Sequence, residues 1–155
     1  MADLVWLHEG ALRRTHPVFA AAATGSPAVF IWDDDRLTAS HVGMKRRLFI
    51  YETLAEMARE TALEIHAGHA DELLPRLAVA KNASRVLMPA TPDPAMLASF
   101  GAVRRVTTDV EFDMVEDTPF ATLANAPDLG RFFRYWNKAR KSAMQPHGGT
   151  PDLFS

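Results

Sequence analysis

The amino-acid sequence predicts an α/β fold of the doubly wound, Rossmann-like class, with a five-stranded parallel sheet and a further helix near the C-terminus. Short apolar runs alternate with segments of helical periodicity four times before a last apolar run. The run Ala28–Trp32 is apolar without interruption, which is typical of a strand covered on both faces. Crossover connections in such a sheet are expected to be right-handed.

The first two strands lie in the N-terminal part of the chain. Residues 4–7 form the first apolar run, and Pro17 stands at the first position of a short helix over residues 18–23. The second strand, Ala28–Trp32, ends abruptly at the acidic triplet 33–35. Because three carboxylates have no place in a core, the chain is expected to reach the surface at this triplet.

A loop and then an amphipathic helix over residues 43–59 are expected to follow the acidic triplet. The residues of the predicted inward face of this helix recur at four- and three-residue steps. Its members are Met44, Leu48, Tyr51, Ala55 and Ala58. The third strand is predicted at residues 63–66, and the next helix at residues 71–81, where Pro75 loosens the first turn. The inward residues of that helix are predicted to be Leu73, Leu74, Leu77 and Ala80.

The last elements of the sheet follow the same alternation. Residues 85–88 form a fourth apolar run, which leads into a proline-rich loop and a helix over residues 95–100. Two segments could supply the fifth strand, residues 103–106 or residues 110–115. The sequence does not decide between these two segments.

Three regions are predicted: an α/β domain over residues 1–127, an aromatic and basic helix over residues 128–144, and a flexible tail over residues 145–155. The apolar stripe of the helix consists of Phe132, Trp136, Ala139 and Ala143, widened by Leu129 and Phe133. This stripe either folds back onto the sheet domain or forms a homodimer through Phe132 and Trp136. A nucleic-acid contact is the weakest alternative, because the net charge is −2.

Composition restricts the function classes. A net charge of −2 gives no electrostatic support for direct DNA binding. The absence of cysteine excludes disulfides, iron–sulfur ligation by this chain and a cysteine nucleophile. No apolar run approaches the ~20 residues of a membrane span, and the N-terminus lacks the pattern of a signal peptide. The sequence therefore predicts a cytoplasmic protein.

Four pieces of the chain, by their order and spacing, resemble the N-terminal α/β domain of the DNA photolyase and cryptochrome family. The pieces are the opening strand with His16-Pro17-Val18-Phe19, the helix residues Arg46, Arg47, Leu48, Phe49 and Leu54, the stretch Glu72-Leu73-Leu74-Pro75-Arg76-Leu77, and residues 86–94. The similarity covers residues 3–115. Together with the β-α alternation, this resemblance implies the strand order 3-2-1-4-5.

The chain departs from the family pattern in several places. The charged Arg-Arg-Asp-Leu-Arg type sequence after the first strand is replaced by residues 8–12, and the usual Asn of the fourth-strand loop by Pro89, whereas the following acid is kept as Asp93. The large helical domain that holds FAD and the DNA lesion in the family has no counterpart in these residues. The resemblance therefore implies neither tight FAD binding nor DNA repair by this chain alone, and no catalytic residue is assigned.

The family's α/β domain carries a light-harvesting antenna chromophore. The resemblance therefore implies that a flavin, a deazaflavin, a folate or a nucleotide would bind at the carboxyl ends of the first, second and fourth strands. The implied contacts are His8, Glu9, Gly10, Asp33, Asp34, Met88, Pro89 and Thr91.

Two charged patterns also suggest ligands by themselves. The acidic triplet 33–35 could bind a cation or ribose hydroxyls, although a solvated turn that caps the next segment is the commoner use. The run Lys45-Arg46-Arg47 could meet a phosphate at a helix N-terminus, or could simply be solvated. His66 and His69 flank Gly68 without further ligands at matching spacing, so no metal site is predicted.

Three functions remain open from the sequence. The first is a photolyase-related domain that binds a chromophore or nucleotide and has no repair activity alone. The second is an interaction module that has lost the pocket and contacts a second copy or a separately encoded helical partner. The third, a nucleotide-using enzyme such as an adenylate-forming one, is disfavoured because the chain lacks a glycine-rich pyrophosphate loop.

Overall fold

The computed structural model describes residues 2–126 and 130–143. These residues form two compact units, one ending at Asp117 and the other beginning at Thr118. The predicted tail, residues 145–155, lies outside the described residues. No helix within the described ranges combines the length and the apolar character that crossing a bilayer requires.

Five parallel strands form one sheet in the order β3-β2-β1-β4-β5, which confirms the predicted fold class. The strands are β1 (Ala2–Leu7), β2 (Ala28–Trp32), β3 (Leu63–Ala67), β4 (Ala83–Pro89) and β5 (Glu111–Val115). β1 lies in the centre, where Trp6 pairs in register with Val29 of β2 and Leu4 with Val86 of β4. The strand order reverses at β1, so the loops after β1 and β4 diverge there.

Helices cover both faces of the sheet. In the first unit these are α1 (Pro17–Ala21), α2 (Asp34–Ala39), α3 (Met44–Glu60), α4 (Ala70–Ala80) and α5 (Pro94–Val106). The second unit contains α6 (Phe132–Ala143). Trp6 packs with α4 and α5 on one face, whereas Leu7 packs with α1 and α3 on the other. The side chains of β1 therefore enter two separate cores, which explains why this strand is continuously apolar.

The inward face of α3 differs from the predicted one. Ile50, Leu54 and Met57 are buried, whereas 79% of Met44 and 56% of Leu48 remain exposed. Both sets of residues recur at four- and three-residue steps, so spacing alone does not separate them. The orientation of α3 against β2 decides which set is buried.

Other element boundaries also differ from prediction. The segment after β2 is a short helix, α2, rather than a loop. α5 continues to Val106, which removes residues 103–106 as a strand and leaves β5 as the fifth. In α4, which accommodates Pro75 internally, Ala78 is buried and Ala80 is exposed.

The C-terminal helix α6 falls within the predicted range 128–144. Residues 128, 129 and 144 lie outside the described residues. Ala139 is buried, whereas Phe132 and Phe133 are 66% and 74% exposed. The ring of Phe132 stacks on that of Trp136 with a centroid separation of 6.1 Å. The aromatic part of the predicted stripe is thus formed on α6, and much of it is accessible to solvent.

Candidate functional site

His8 connects the loop after β1 to the end of β4. Its imidazole is buried, and Nε2–H donates to the carbonyl oxygen of Pro89 at 3.0 Å. The backbone N–H of Gly10 donates to Nδ1 at 3.1 Å, so this ring carries its proton on Nε2. Burial lowers the pKa of His8, against the opposing effect of the hydrogen bond to Pro89. His8 is therefore a neutral connector between two strand ends.

Glu9 forms a buried, bidentate ion pair with Arg36 of α2. The two nitrogen-to-oxygen distances are 2.6 and 2.8 Å, and the side chains are 8% and 10% exposed. Burial opposes ionisation of Glu9, but the hydrogen bonds and charge of Arg36 outweigh burial and lower the pKa of Glu9. Both carboxylate oxygens are engaged, so Glu9 fixes the β1 loop against α2.

The acidic triplet divides into residues with different partners. Asp33 is largely buried, which corrects the expectation that the whole triplet is at the surface, and its Oδ1 accepts from the backbone N–H of Arg36 at 3.0 Å. Asp33 is thereby the N-cap of α2. Asp34 is exposed and accepts hydrogen bonds from the indole of Trp32 at 3.0 Å and from Arg47 at 2.8 Å.

The loop after β4 leads directly into the start of α5. Thr91 accepts a hydrogen bond from the backbone N–H of Asp93 at 3.1 Å through its hydroxyl. The carboxylate of Asp93 accepts from the backbone N–H of Ala95 at 3.0 Å and caps α5. These two bonds order the wall of the site that faces the β1 loop.

Two adjoining cavities lie at this carboxyl edge of the sheet, with volumes of about 510 and 320 Å³. Both are lined by Glu9, Arg46 and Asp93. The larger also contacts Ala39, Ser40, Val42, Pro94 and Ala95, and the smaller His8, Gly10, Thr91 and Pro92. Their volumes lie in the range of small-molecule sites.

Arg46 is the distinctive charged group of these cavities. It is exposed, and its guanidinium forms no hydrogen bond or ion pair with another residue in the described part of the chain. Arg46 lies in the first turn of α3, where Gly43 supplies no side-chain cap and no acidic residue is present. Backbone N–H groups and a guanidinium at a helix N-terminus together favour an anionic ligand group.

The predicted contact residues are distributed unevenly around the cavities. His8, Glu9, Gly10 and Thr91 line the smaller cavity. Asp33, Asp34, Met88 and Pro89 line neither of the two; Met88 is fully buried in the core, and Pro89 contributes its carbonyl oxygen to His8. Ligand contact by the eight residues stays a prediction.

Arg36 and Ser40 were not predicted as parts of the site, because both depend on the unforeseen helix α2. The hydroxyl oxygen of Ser40 is buried beside the larger cavity, and no described residue forms a hydrogen bond with it. Arg46 differs from these two residues, because the basic run that includes it already suggests an anion-binding position in the sequence.

Comparison with known proteins identifies the fold. No protein-family profile and no curated protein matches this chain. The fold is similar to the cryptochrome of Synechocystis sp. PCC6803, with a TM-score of 0.68 and 17% identity over 94% of this chain and 34% of that one. A photolyase from Sulfolobus tokodaii, solved with two FAD molecules, gives 0.59 and 16% identity, covering 90% of this chain and 35% of the photolyase.

A class III photolyase from Agrobacterium tumefaciens is also similar, with a TM-score of 0.52 and 17% identity over 84% of this chain and 28% of that one. The fold is therefore that of the photolyase and cryptochrome α/β domain. The chain spans about a third of the length of these solved structures. At these identities the likeness establishes the fold, and the chemistry has to be argued from the site.

Proposed function

We propose that this chain is a photolyase-related α/β domain that binds an antenna-type chromophore or a nucleotide, without DNA-repair activity of its own. The observation that carries this proposal is the pair of cavities at the carboxyl edge with Arg46 on their wall. In sheets of this topology, ligands bind outside the carboxyl ends of the strands, where the strand order reverses.

The proposal gives the site residues two different roles. His8 and Glu9 hold the β1 loop in place, because their side-chain atoms are already engaged by Pro89 and Arg36. Arg46 contacts the ligand directly through an anionic group, which is a phosphate in a flavin nucleotide and a carboxylate in a folate. The ring system of the ligand then lies along the smaller cavity.

The absorption spectrum of the freshly purified 155-residue chain tests whether a chromophore is retained. If the protein is colourless, titration with FMN and with a reduced folate, followed by fluorescence, measures binding. The FAD molecules of the Sulfolobus tokodaii photolyase make a flavin the first compound to try. A colourless protein that binds neither compound at millimolar concentration would contradict the proposal.

Replacement of Arg46 tests the position of the site. Arg46→Gln is expected to weaken binding by about tenfold or more, because a charge-assisted hydrogen bond contributes roughly 1.5–3 kcal/mol. Lys45→Gln is the matched control, since Lys45 is also an exposed cation of the first turn but lines neither cavity. Equal affinity in Arg46→Gln and the wild type would place the ligand elsewhere.

The absence of repair activity is tested with a thymine-dimer-containing oligonucleotide under blue and near-ultraviolet light. The purified chain is expected to leave the dimer intact, because the chemistry requires a redox cofactor held against the lesion. Light-dependent repair by this chain alone would refute this part of the proposal. Repair after addition of a separately encoded helical protein would support an arrangement in trans.

An interaction module is the second candidate, and α6 is the observation that favours it. Within the described residues, most of the surface of Phe132 and Phe133 is exposed to solvent. Such adjacent exposed aromatic surface is unfavourable for a protein that has no partner. If the chain is a homodimer through α6, the double variant Phe132→Glu/Trp136→Glu stays folded and sediments as a monomer. Phe120→Glu, which changes another exposed phenylalanine, is the matched control. A wild-type monomer, or a double variant that unfolds, would oppose the dimer.

A further inference from the structure

Three side chains with metal-binding atoms converge beside the ends of β2 and β3. Asp33, Asp35 and His69 each offer one oxygen or nitrogen atom, and these atoms all lie within 4.8 Å of one another. In the sequence, His69 lies close to His66, and only this closeness suggests that the two histidines act together. In the structure, His66 instead contacts Glu64 at 3.1 Å, and His69 faces the two aspartates.

The backbone fixes two members of this cluster. Oδ1 of Asp33 accepts the capping bond of α2, which leaves Oδ2 facing Nδ1 of His69 at 3.5 Å. The N–H of Gly68 donates to the carbonyl of Trp32 at 3.0 Å, and the φ of +141° at Gly68 is readily adopted only by glycine. These bonds hold the residues after β2 and β3 side by side.

The imidazole of His69 does not form the helix-capping hydrogen bond that its position would predict. His69 is the N-cap residue of α4, yet its side chain makes no capping hydrogen bond. The ring instead lies between the carboxylates, with Nε2 at 3.7 Å from Oδ2 of Asp35. The cluster is therefore a region of negative potential that favours a cation.

The separations are close to those of a coordination shell. Bonds of roughly 2.1 Å from a tetrahedral Zn²⁺ place neighbouring ligand atoms about 3.4 Å apart. Oδ2 of Asp33 and Nδ1 of His69 are already 3.5 Å apart. Asp35 has a side chain that is 86% exposed, so it can rotate to close the remaining gap.

We propose that Asp33, Asp35 and His69 bind a divalent transition-metal ion, with Zn²⁺ as the best fit and water in the remaining coordination positions. An imidazole ligand favours Zn²⁺ over Mg²⁺ or Ca²⁺, which prefer oxygen alone. Asp34 is not a ligand, because it is engaged by Trp32 and Arg47. This proposal rests on the cluster itself and is independent of chromophore binding.

Calorimetric titration of the tag-free chain with Zn²⁺ tests the proposal. We expect one saturable site per chain, and a loss of affinity of at least about tenfold in His69→Gln and in Asp35→Asn. Both changed side chains are half or more exposed, so the variants are expected to fold, and a thermal melt checks this. Asp33 is left unchanged because its replacement would also remove the cap of α2.

Two matched controls locate the ion. Asp34→Asn removes a neighbouring carboxylate, and His66→Gln removes the neighbouring imidazole, so both are expected to bind Zn²⁺ like the wild type. The proposal is overturned if no site saturates at one equivalent, if His69→Gln binds unchanged, or if His66→Gln loses the site instead. A site that takes Mg²⁺ as tightly as Zn²⁺ would likewise exclude His69 as a ligand.

Discussion

Removal of one member of the Glu9–Arg36 pair is expected to destabilise the α/β unit strongly. The two side chains are about nine-tenths buried and share two short hydrogen bonds. Glu9→Gln leaves the guanidinium buried without its counter-charge, and such losses cost roughly 3–5 kcal/mol. For a chain of this size, each kcal/mol lowers Tm by about 2–4 °C, so Tm is expected to fall by roughly 6 °C or more.

The double variant Glu9→Gln/Arg36→Met distinguishes two contributions to the loss of stability: the cost of a buried charge left unpaired, and the loss of the interaction itself. Replacement of a whole buried ion pair by well-packed apolar residues is often neutral, or stabilising by about 1–4 kcal/mol, so the double variant is expected to be more stable than Glu9→Gln alone. Urea denaturation of the wild type, the two single variants and the double variant gives the coupling energy between Glu9 and Arg36. If Glu9→Gln alone stays within about 0.5 kcal/mol of the wild type, the pair is solvated and the reasoning fails.

The same ion pair predicts a pH dependence with a defined sign. The pKa of Glu9 is lower in the folded chain than its ordinary value of 4.5. The stabilisation by Arg36 is therefore fully present above about pH 4.5 and is lost as the pH falls through the lower, folded-state pKa. Denaturation curves from pH 7 to pH 3 should converge for the wild type and Glu9→Gln. Parallel curves over that range would contradict the assignment.

Four further variants test other parts of the structure by urea denaturation. Leu54→Ala is expected to cost about 2–5 kcal/mol, because it empties a buried position of α3, whereas Leu48→Ala on the exposed face should change stability by less than about 0.5 kcal/mol. Asp93→Ala removes the N-cap of α5 and should cost about 1 kcal/mol. His8→Leu leaves the carbonyl at the end of β4 without its buried donor and should cost about 1–3 kcal/mol. Effects of equal size in Leu54→Ala and Leu48→Ala would mean that the orientation of α3 is different.

The strands were predictable because their signal is local. A parallel strand with helices on both faces needs only a short, continuous apolar run, and Ala28–Trp32 satisfies this without reference to the rest of the chain. The inward face of α3 was not predictable in the same way. Two stripes with identical spacing compete, and only the position of the helix on the sheet selects the one with Leu54.

The sequence does not predict helix α2, and this local error also affects the prediction of the site. The acidic triplet indicates a surface turn, although its first residue, Asp33, is also a good N-cap for a six-residue helix. Without α2 there is no reason to bring Arg36 to Glu9, which lies 27 positions earlier in the chain. The location of the site at the carboxyl edge follows from topology, but its internal contacts depend on this one helix.

These contacts change which residues can recognise a ligand. Glu9 was predicted as a contact, yet a ligand hydroxyl would have to compete with a bidentate guanidinium for the same two oxygens. The guanidinium of Arg46 is not engaged by any other described residue, and it lies at a helix N-terminus that lacks a side-chain cap. Selectivity at this edge should therefore follow the negative charge of the ligand more than its hydroxyl groups. FMN is expected to bind more tightly than riboflavin, and equal affinities would show that Arg46 does not contact the phosphate.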